Sequence, residues 1–217
     1  MSADSPTTPL GYDPFTRPDH HVSQKTQKLG MILFLVSLGV LFASTMLVYV
    51  LVRLVFGAEK PEIGYMRDEL ANWKLFLSTI VVLAASATIH FSVKAIQRER
   101  REPFMRWLLV TDLLAVAFVA IQIPAMIAIL QYHGGSTNTD GELIASPDRF
   151  FGVTMFLILL HALHVVGGII YLLIVTAKAA SGKYDHENYR GVAHAALYWH
   201  FLDVVWIIMF GTLLILG

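Results

Sequence analysis

Five long apolar segments dominate this sequence of 217 residues. A helix needs about 20 mostly apolar residues to cross the hydrocarbon core of a bilayer. The segments that meet this requirement run from about Leu29 to Phe56, Trp73 to Ile96, Trp107 to Leu130, Phe150 to Ala177 and Val192 to Leu216. None of them alternates polar and apolar residues as a membrane strand would. The sequence therefore predicts an all-α polytopic membrane protein, a bundle of five transmembrane helices.

The composition agrees with a membrane location and excludes several function classes. Only 15% of the residues are charged, whereas soluble proteins carry about 25%. The formal net charge is zero, which argues against nucleic acid as a partner, because nucleic-acid binding requires a clustered basic surface. The chain has no Cys, so disulfides, thiolate nucleophiles, iron–sulfur clusters and zinc–thiolate sites are excluded.

Charge placement predicts how the chain is oriented. Residues 1–27 are polar and contain four prolines, so we expect a flexible N-terminal tail followed by a five-helix domain over residues 28–217. With five spans, the tail and the second and fourth loops share one side, which holds eleven Lys and Arg residues against five on the other. Basic residues favour the cytoplasmic side. The N-terminus is therefore predicted to be cytoplasmic and the C-terminus outside.

Ionisable residues inside the spans require an explanation because they are costly in a bilayer. They are His90, Asp112, His161, His164, His200 and Asp203. His161 and His164 are three residues apart and should share a helix face. His200 and Asp203 have the same spacing, so we expect them to pair, or to bond across to the His161/His164 face and lock the last two helices together.

Two interpretations of the buried histidines remain open on the residues alone. They can hydrogen-bond between helices, or they can bind haem or a metal ion with Asp203 as a further ligand. No HExxH, nucleophile elbow, P-loop or dinucleotide fingerprint is present, so no catalytic chemistry is indicated in this chain. The aromatic residues of the last span are predicted to anchor it at the membrane interface and to pack; they are Tyr198, Trp199, Phe201 and Trp206.

Several motifs carry a resemblance to one family. The last span reads Tyr-Trp-His-Phe-Leu-Asp-Val-Val-Trp over residues 198–206, and the fourth contains His161, His164, Gly167 and Gly168 as His-Ala-Leu-His-Val-Val-Gly-Gly. Further matches are Lys28 to Ser37 in the first span, Ser86, Thr88 and His90 in the second, and Thr111, Phe118 and Gln122 in the third. Together these motifs resemble subunit III of the haem-copper oxidases, the cytochrome c and quinol oxidases.

The resemblance implies a fold, partners and cofactors. The fold would be the five-helix form of subunit III, without the first two helices of the seven-helix members. Such a subunit holds no haem or copper, which belong to its partner subunits. It packs against subunit I, with subunits II and IV as further candidate partners, binds phospholipid, and sustains proton uptake and turnover in a bacterial cytoplasmic membrane.

The sequence departs from the family pattern at three carboxylates. Leu38, Ala125 and Ala193 stand where the common form has Glu, which weakens any role for this chain in conducting protons. A second expectation concerns lipid headgroups, since juxtamembrane Lys and Arg attract anionic lipids. The candidate contacts are Trp73, His90, Arg98, Arg100, Arg101 and Arg106.

Three alternatives to an oxidase subunit remain open on the sequence alone. The subunit III-like accessory protein of nitric oxide reductase shares the five-helix fold and the signature. A free-standing haem- or metal-binding membrane enzyme would use His90, His161, His164 and His200. A small transporter would need broken helices or a polar cavity, for which Pro124 beside Gln122 is the sequence feature.

Overall fold

Within residues 24–56, 73–134, 149–185 and 188–216, which the computed structural model describes, the chain forms five helices and no strand. The helices are α1 (Gln24–Phe56), α2 (Trp73–Gln97), α3 (Arg101–Gly134), α4 (Arg149–Ala180) and α5 (Arg190–Leu216). All five are long and apolar enough to cross a membrane. The prediction of an all-α integral membrane protein with five spans is confirmed.

Helix ends differ from the predicted spans where polar turns extend a helix beyond its apolar part. α3 begins at Arg101, six residues before the predicted start of its span, and Glu102 and Arg106 pair at 3.3 Å along this added turn. α1 begins at Gln24, inside the segment predicted as a tail, and residues 1–23 lie outside the described residues. Pro124 lies within α3, which continues to Gly134.

The turn after α4 depends on a glycine. Gly182 has a φ of +73°, a left-handed conformation that glycine adopts without strain. The amide of Gly182 donates to the carbonyl of Ala179, and that of Lys183 donates to the carbonyl of Lys178. These bonds satisfy carbonyls at the helix end, as in a glycine C-cap. A Cβ on Gly182 would lie only 2.6 Å from the Arg101 guanidinium, so this turn is also packed against the start of α3.

α5 lies in the middle of the bundle and packs against α1, α2 and α4. α2 and α3 pair closely, α3 also contacts α4, and α1 covers the side formed by α4 and α5. α1 and α5 are tied at both ends. Arg190 donates to the Gln27 side chain at 3.3 Å, and the Arg53 Nε donates to the carbonyl of Leu216. The two helices therefore run parallel, as the first and fifth of five spans must.

Polar and apolar residues are arranged as a bilayer requires. Large apolar side chains such as Val40 and Leu113 are 65% and 71% exposed on the outside of the bundle. Exposure of such side chains to water is unfavourable, whereas contact with lipid tails or a partner helix is not. The interior, in contrast, contains Asp112, His161 and Asp203 together with apolar side chains. These three ionisable residues therefore lie inside the bundle and not on its outer surface.

Candidate functional site

The contact between α4 and α5 is built around a glycine and a tyrosine. The Tyr198 hydroxyl donates to the backbone carbonyl of His164 at 3.0 Å. A Cβ on Gly168 would lie 3.0 Å from the Tyr198 ring and 3.3 Å from Leu202, so any larger residue would force these side chains to shift by a few tenths of an ångström. Gly167, its neighbour in the motif, would meet nothing within 4 Å. Gly168 is therefore the glycine of the pair that lies in the close contact between α4 and α5.

His161 and His164 share a face of α4, and both contact the Phe42 ring of α1, at centroid distances of 6.0 and 5.3 Å. This agrees with the face predicted from their spacing. The two rings are nevertheless used differently. Nδ1 of His164 lies 2.7 Å from the carbonyl of Leu160, one turn earlier in the same helix. His161 is buried and stacks on Trp206, and neither of its ring nitrogens has a hydrogen-bond partner within the described parts of the chain.

His200 faces α2 rather than α4. Its Nδ1 lies 2.5 Å from the Ser86 hydroxyl, and its ring is 6.4 Å from that of His90. Asp203 is buried beside them, with Oδ2 4.0 Å from Nδ1 of His200, too far for a hydrogen bond, and with Ser86 as its other polar neighbour.

The hypothesis that His200 and Asp203 bond to the His161/His164 face is therefore wrong. The face of α5 toward α4 is occupied by Tyr198 and Leu202. At about 100° per residue, Asp203 points about 100° away from Leu202, and His200, two residues after Tyr198, points to the opposite side of the helix. His200 consequently joins α5 to α2 through Ser86, and Asp203 is buried beside this contact.

Trp206 is the centre of an aromatic cluster that joins four helices. Its Nε1 donates to the Thr79 hydroxyl of α2 at 3.1 Å. Its ring stacks on Phe210 at 5.8 Å and on His161 at 5.6 Å, and Phe118 of α3 meets it edge-on at 5.4 Å. The signature tryptophan therefore holds α2, α3, α4 and α5 together.

Of the two roles predicted for the aromatics of the last span, the structure supports packing and not anchoring at the membrane interface. Tyr198, Trp199 and Trp206 are all buried in the bundle, with Trp199 only 2% exposed. The residues of α1 and α2 that contact this region were not predicted from the sequence. Phe42 and Thr79 belong to no motif, and their roles follow only from how α1 and α2 are rotated against α5.

Gln122 lines a cavity of about 270 Å³ between α3 and α4, whose floor is formed by Trp206 of α5. His161 lines the same cavity from α4. Thr111, which precedes Gln122 in the same motif, instead bonds the Thr88 hydroxyl of α2 at 2.9 Å. The third-span motif therefore contributes one contact to the α2–α3 pair and one polar group to the cavity.

The candidate lipid contacts lie at two separate places. Trp73 is 67% exposed at the start of α2, whereas the basic cluster Arg98–Arg106 begins after its end. At 1.5 Å per residue these places are roughly 37 Å apart, so they cannot bind one headgroup. Arg98, Arg100 and Arg101 are exposed, and His90 is exposed on α2 nearer the basic cluster.

The positions of the missing carboxylates are occupied in different ways. Leu38 is buried, 5% exposed, in the core of the bundle, and Ala193 is half-buried near the start of α5. The side chain of Ala125 lies outside the part that the structure describes. At Leu38, an apolar side chain therefore fills the position.

The loop between α4 and α5 packs through two tyrosines. The Tyr171 hydroxyl donates to the carbonyl of Gly191 at 3.3 Å, and the Tyr184 ring lies against Gly191 so closely that a Cβ there would collide with it. Burial raises the pKa of Tyr184. The two tyrosines therefore hold the loop against the start of α5.

Comparisons with known proteins agree with the motifs. Residues 15–217 match the family model for cytochrome c oxidase subunit III. The chain is 28% identical to cytochrome c oxidase subunit 3 of Thermostichus vulcanus, over 91% of this chain and 92% of that protein. It is 29% identical to the subunit 3 of Synechocystis, over 92% and 79% of the two chains, and 29% identical to that of Loxodonta africana, over 88% and 70%. This integral membrane chain therefore belongs to the cytochrome c oxidase subunit III family, the third subunit of haem-copper oxidases.

Proposed function

We propose that this chain is a non-catalytic subunit III that stabilises a respiratory haem-copper terminal oxidase during assembly and turnover. Subunit I would be its direct partner, with subunits II and IV nearby, and haem and copper would be held by those partners. The observation that supports the proposal is how the motif of α5, residues 198–206, contacts the rest of the bundle. Its side chains bond and stack on α2, α3 and α4, which is a structural role.

The four membrane histidines support this role because they do not converge on one point. His161 lies between Phe42 and Trp206, while His164 bonds its own helix. His200 bonds Ser86 on the other side of α5. Over the described ranges, no group of three or more His, Cys, Asp or Glu residues is placed to hold a metal ion. A free-standing metalloenzyme is therefore the weaker candidate, and the family match favours an oxidase subunit.

We place the chain in a bacterial cytoplasmic membrane with its N-terminus inside. The excess of Lys and Arg on the side of the tail, eleven against five, supports this orientation. The parallel arrangement of α1 and α5 is consistent with it, since both helices would start on the cytoplasmic side. The exposed apolar faces of the bundle would contact lipid and the partner subunits.

Anionic phospholipid is the expected ligand of the turn between α2 and α3. Arg98, Arg100 and Arg101 are exposed there, at the end of the membrane-spanning part of α2. Each Lys or Arg near a membrane surface contributes about 1 kcal/mol of attraction to anionic lipid. Arg106 is less available, because it is paired with Glu102 at 3.3 Å.

Charge reversal at this turn tests the lipid proposal. Arg98→Glu combined with Arg100→Glu should reduce the phosphatidylglycerol that co-purifies with the complex, as measured by mass spectrometry of extracted lipid. Lys178→Glu with Lys183→Glu is the matched control, because both residues are exposed on the same side of the predicted topology. Equal phosphatidylglycerol in both double variants and the parent would refute a specific contact at this turn.

The function itself is tested by purification through a tag on this chain in a mild detergent. We expect a haem-copper catalytic subunit to co-purify and the preparation to reduce oxygen, with all metal assigned to other chains by mass spectrometry of the separated subunits. A preparation that reduces nitric oxide instead would assign the chain to the nitric oxide reductase accessory branch. Haem or metal retained by this chain alone would refute the non-catalytic role.

A further inference from the structure

The cavity between α3 and α4 has an almost entirely apolar wall. Phe118 and Ile123 line it from α3, Val166 from α4, and Trp206 closes it from α5. Ile123 and Val166 are 49% and 46% exposed, so the cavity opens between these two helices onto the outer apolar surface of the bundle. Where this surface faces lipid, a molecule dissolved in the bilayer can reach the cavity without passing through water.

Two side chains that line this cavity have buried polar atoms without partners in the described parts of the chain. His161 is 4% exposed, and neither Nδ1 nor Nε2 has a hydrogen-bond partner among the described residues. Oε1 of Gln122 is also buried without a described partner. Trp206, in contrast, donates its Nε1 to Thr79 and presents only its ring to the cavity. Buried polar groups are almost always hydrogen-bonded, and these two differ from other unpartnered groups in lying at a cavity that a molecule could occupy.

The chemistry of the two groups defines what they can bind. A neutral imidazole offers one donor and one acceptor, and the amide oxygen of Gln122 offers a second acceptor. A hydroxyl group both donates and accepts, so it complements this set. Among the residues that the structure describes, no Lys, Arg, Asp or Glu lines the cavity, which disfavours a phosphate or carboxylate headgroup. The aromatic walls of Phe118 and Trp206 suit a ring, and a volume of about 270 Å³ is near the lower end for small-ligand pockets.

We propose that this cavity binds the ring hydroxyl of an uncharged amphiphile that enters from the membrane. The ring would lie against the wall that Phe118 and Trp206 form together, the hydroxyl would bond His161 and Gln122, and the tail would leave past Ile123 and Val166. Both a hydroquinone and a membrane ring alcohol have this chemistry. The site would bind a ligand without carrying out a reaction. It goes beyond the proposed stabilisation of the oxidase, because its residues all belong to this chain and require no partner subunit.

The test is photolabelling of the intact complex in nanodiscs with a decylphenol that carries a diazirine in its alkyl chain. Labelled peptides are mapped by mass spectrometry, and three competitors are compared: decylhydroquinone, cholesterol as a ring alcohol, and decylbenzene. We expect label on α3 and α4 at the cavity, and protection by at least one hydroxyl-bearing competitor at a concentration about tenfold lower than decylbenzene requires. Protection by hydroquinone or by ring alcohol alone identifies the source of the ligand.

Matched variants separate the hydrogen bonds from the shape of the cavity. His161→Phe keeps a ring against Trp206 but removes both nitrogens, and Gln122→Met keeps the length of the side chain. Both should weaken protection by the hydroxyl competitor about tenfold, whereas His164→Phe should not, because His164 does not line the cavity. Equal protection by decylbenzene, unchanged protection in both cavity variants, or no label at the cavity would each overturn the proposal.

Discussion

α1 and α5 run parallel and contact each other at both ends, yet they are buried in the bundle to very different extents. In the most apolar 18-residue window, 11% of residues are buried in α1 and 44% in α5. Mean hydropathy is 2.5 in α1 and 1.9 in α5, so the more apolar helix is the less buried one, as expected for a helix that faces lipid. Burial in a membrane bundle follows from which polar and aromatic groups a helix offers to its neighbours.

Hydrogen bonding shows the same contrast. In α1 the hydroxyls of Ser37, Ser44 and Thr45 bond carbonyls one turn earlier in the same helix, at 2.9 to 3.1 Å. In α5 the polar groups of Tyr198 and Trp206 reach α4 and α2. A hydroxyl bonded within its own helix does not select a neighbour, whereas a bond between helices sets their rotation and register. α5 therefore organises the bundle, and α1 covers one side of it.

The largest expected effect is from Trp206→Ala. It removes the ring that contacts Phe118, His161 and Phe210, and it deletes the bond to Thr79. We expect a loss of about 3–5 kcal/mol in the free energy of unfolding, measured by denaturation of the purified protein in mixed micelles. Trp73→Ala, at a 67% exposed tryptophan, should change it by less than about 0.5 kcal/mol. Similar losses for the two would show that Trp206 is not a packing centre.

The adjacent glycines of α4 give the next largest difference. Gly168→Ala places a methyl group 3.0 Å from the Tyr198 ring, and we expect a loss of about 1–3 kcal/mol from overpacking. Gly167→Ala meets nothing within 4 Å and should be neutral or slightly stabilising, since Ala favours a helix over Gly. Thermal unfolding of the two variants in the same detergent compares them, and a reversed order would contradict the close contact between α4 and α5.

A smaller effect separates hydroxyls bonded between helices from those bonded within one. Thr79→Val keeps the shape of the side chain but removes the acceptor of the Trp206 Nε1, so we expect a loss of about 0.5–2 kcal/mol. Thr45→Val in α1 removes a hydroxyl that bonds only its own helix and should be within about 0.5 kcal/mol of the parent. Combining Thr79→Val with Trp206→Phe measures the coupling directly, and additive losses would argue against the bond.

The smallest expected effect is on the exposed face of α1. Leu33→Ala and Val40→Ala remove side chains that are 57% and 65% exposed, so the unfolding free energy should change by less than about 0.5 kcal/mol. If this face contacts a partner subunit, the same variants should lower the amount of that subunit recovered by tag purification. A loss of stability comparable to that of Gly168→Ala would mean that α1 is packed more tightly than this account holds.

The helices and their order were predictable from the sequence, because a span is defined by length and hydropathy alone. The shared face of His161 and His164 was also predictable, since helical spacing places both beside Phe42. The direction of His200 was not, because it depends on the rotation of α5 between α2 and α4. For Trp199 and Trp206 the sequence predicted both packing and interfacial anchoring, because an aromatic at an interface and one in a core have the same composition signal; the structure shows burial.

The cavity at His161 was the least predictable feature. Its walls come from four helices, so no local sequence pattern indicates it. Gln122 and His161, which both line it, belong to separate motifs. The family pattern locates these residues along the chain. It does not say which polar groups are left without a partner, because that depends on every neighbouring side chain at once.

The most direct test of the central claim is the oxygen-reduction rate of the purified complex with and without this chain. If the chain is a stabilising subunit that holds no redox cofactor, its selective removal should leave the haem spectrum and the initial rate largely intact while activity decays faster during turnover. Loss of the haem signal in proportion to the chain removed, with no activity from the first turnover, would contradict the account and return the buried histidines to consideration as ligands.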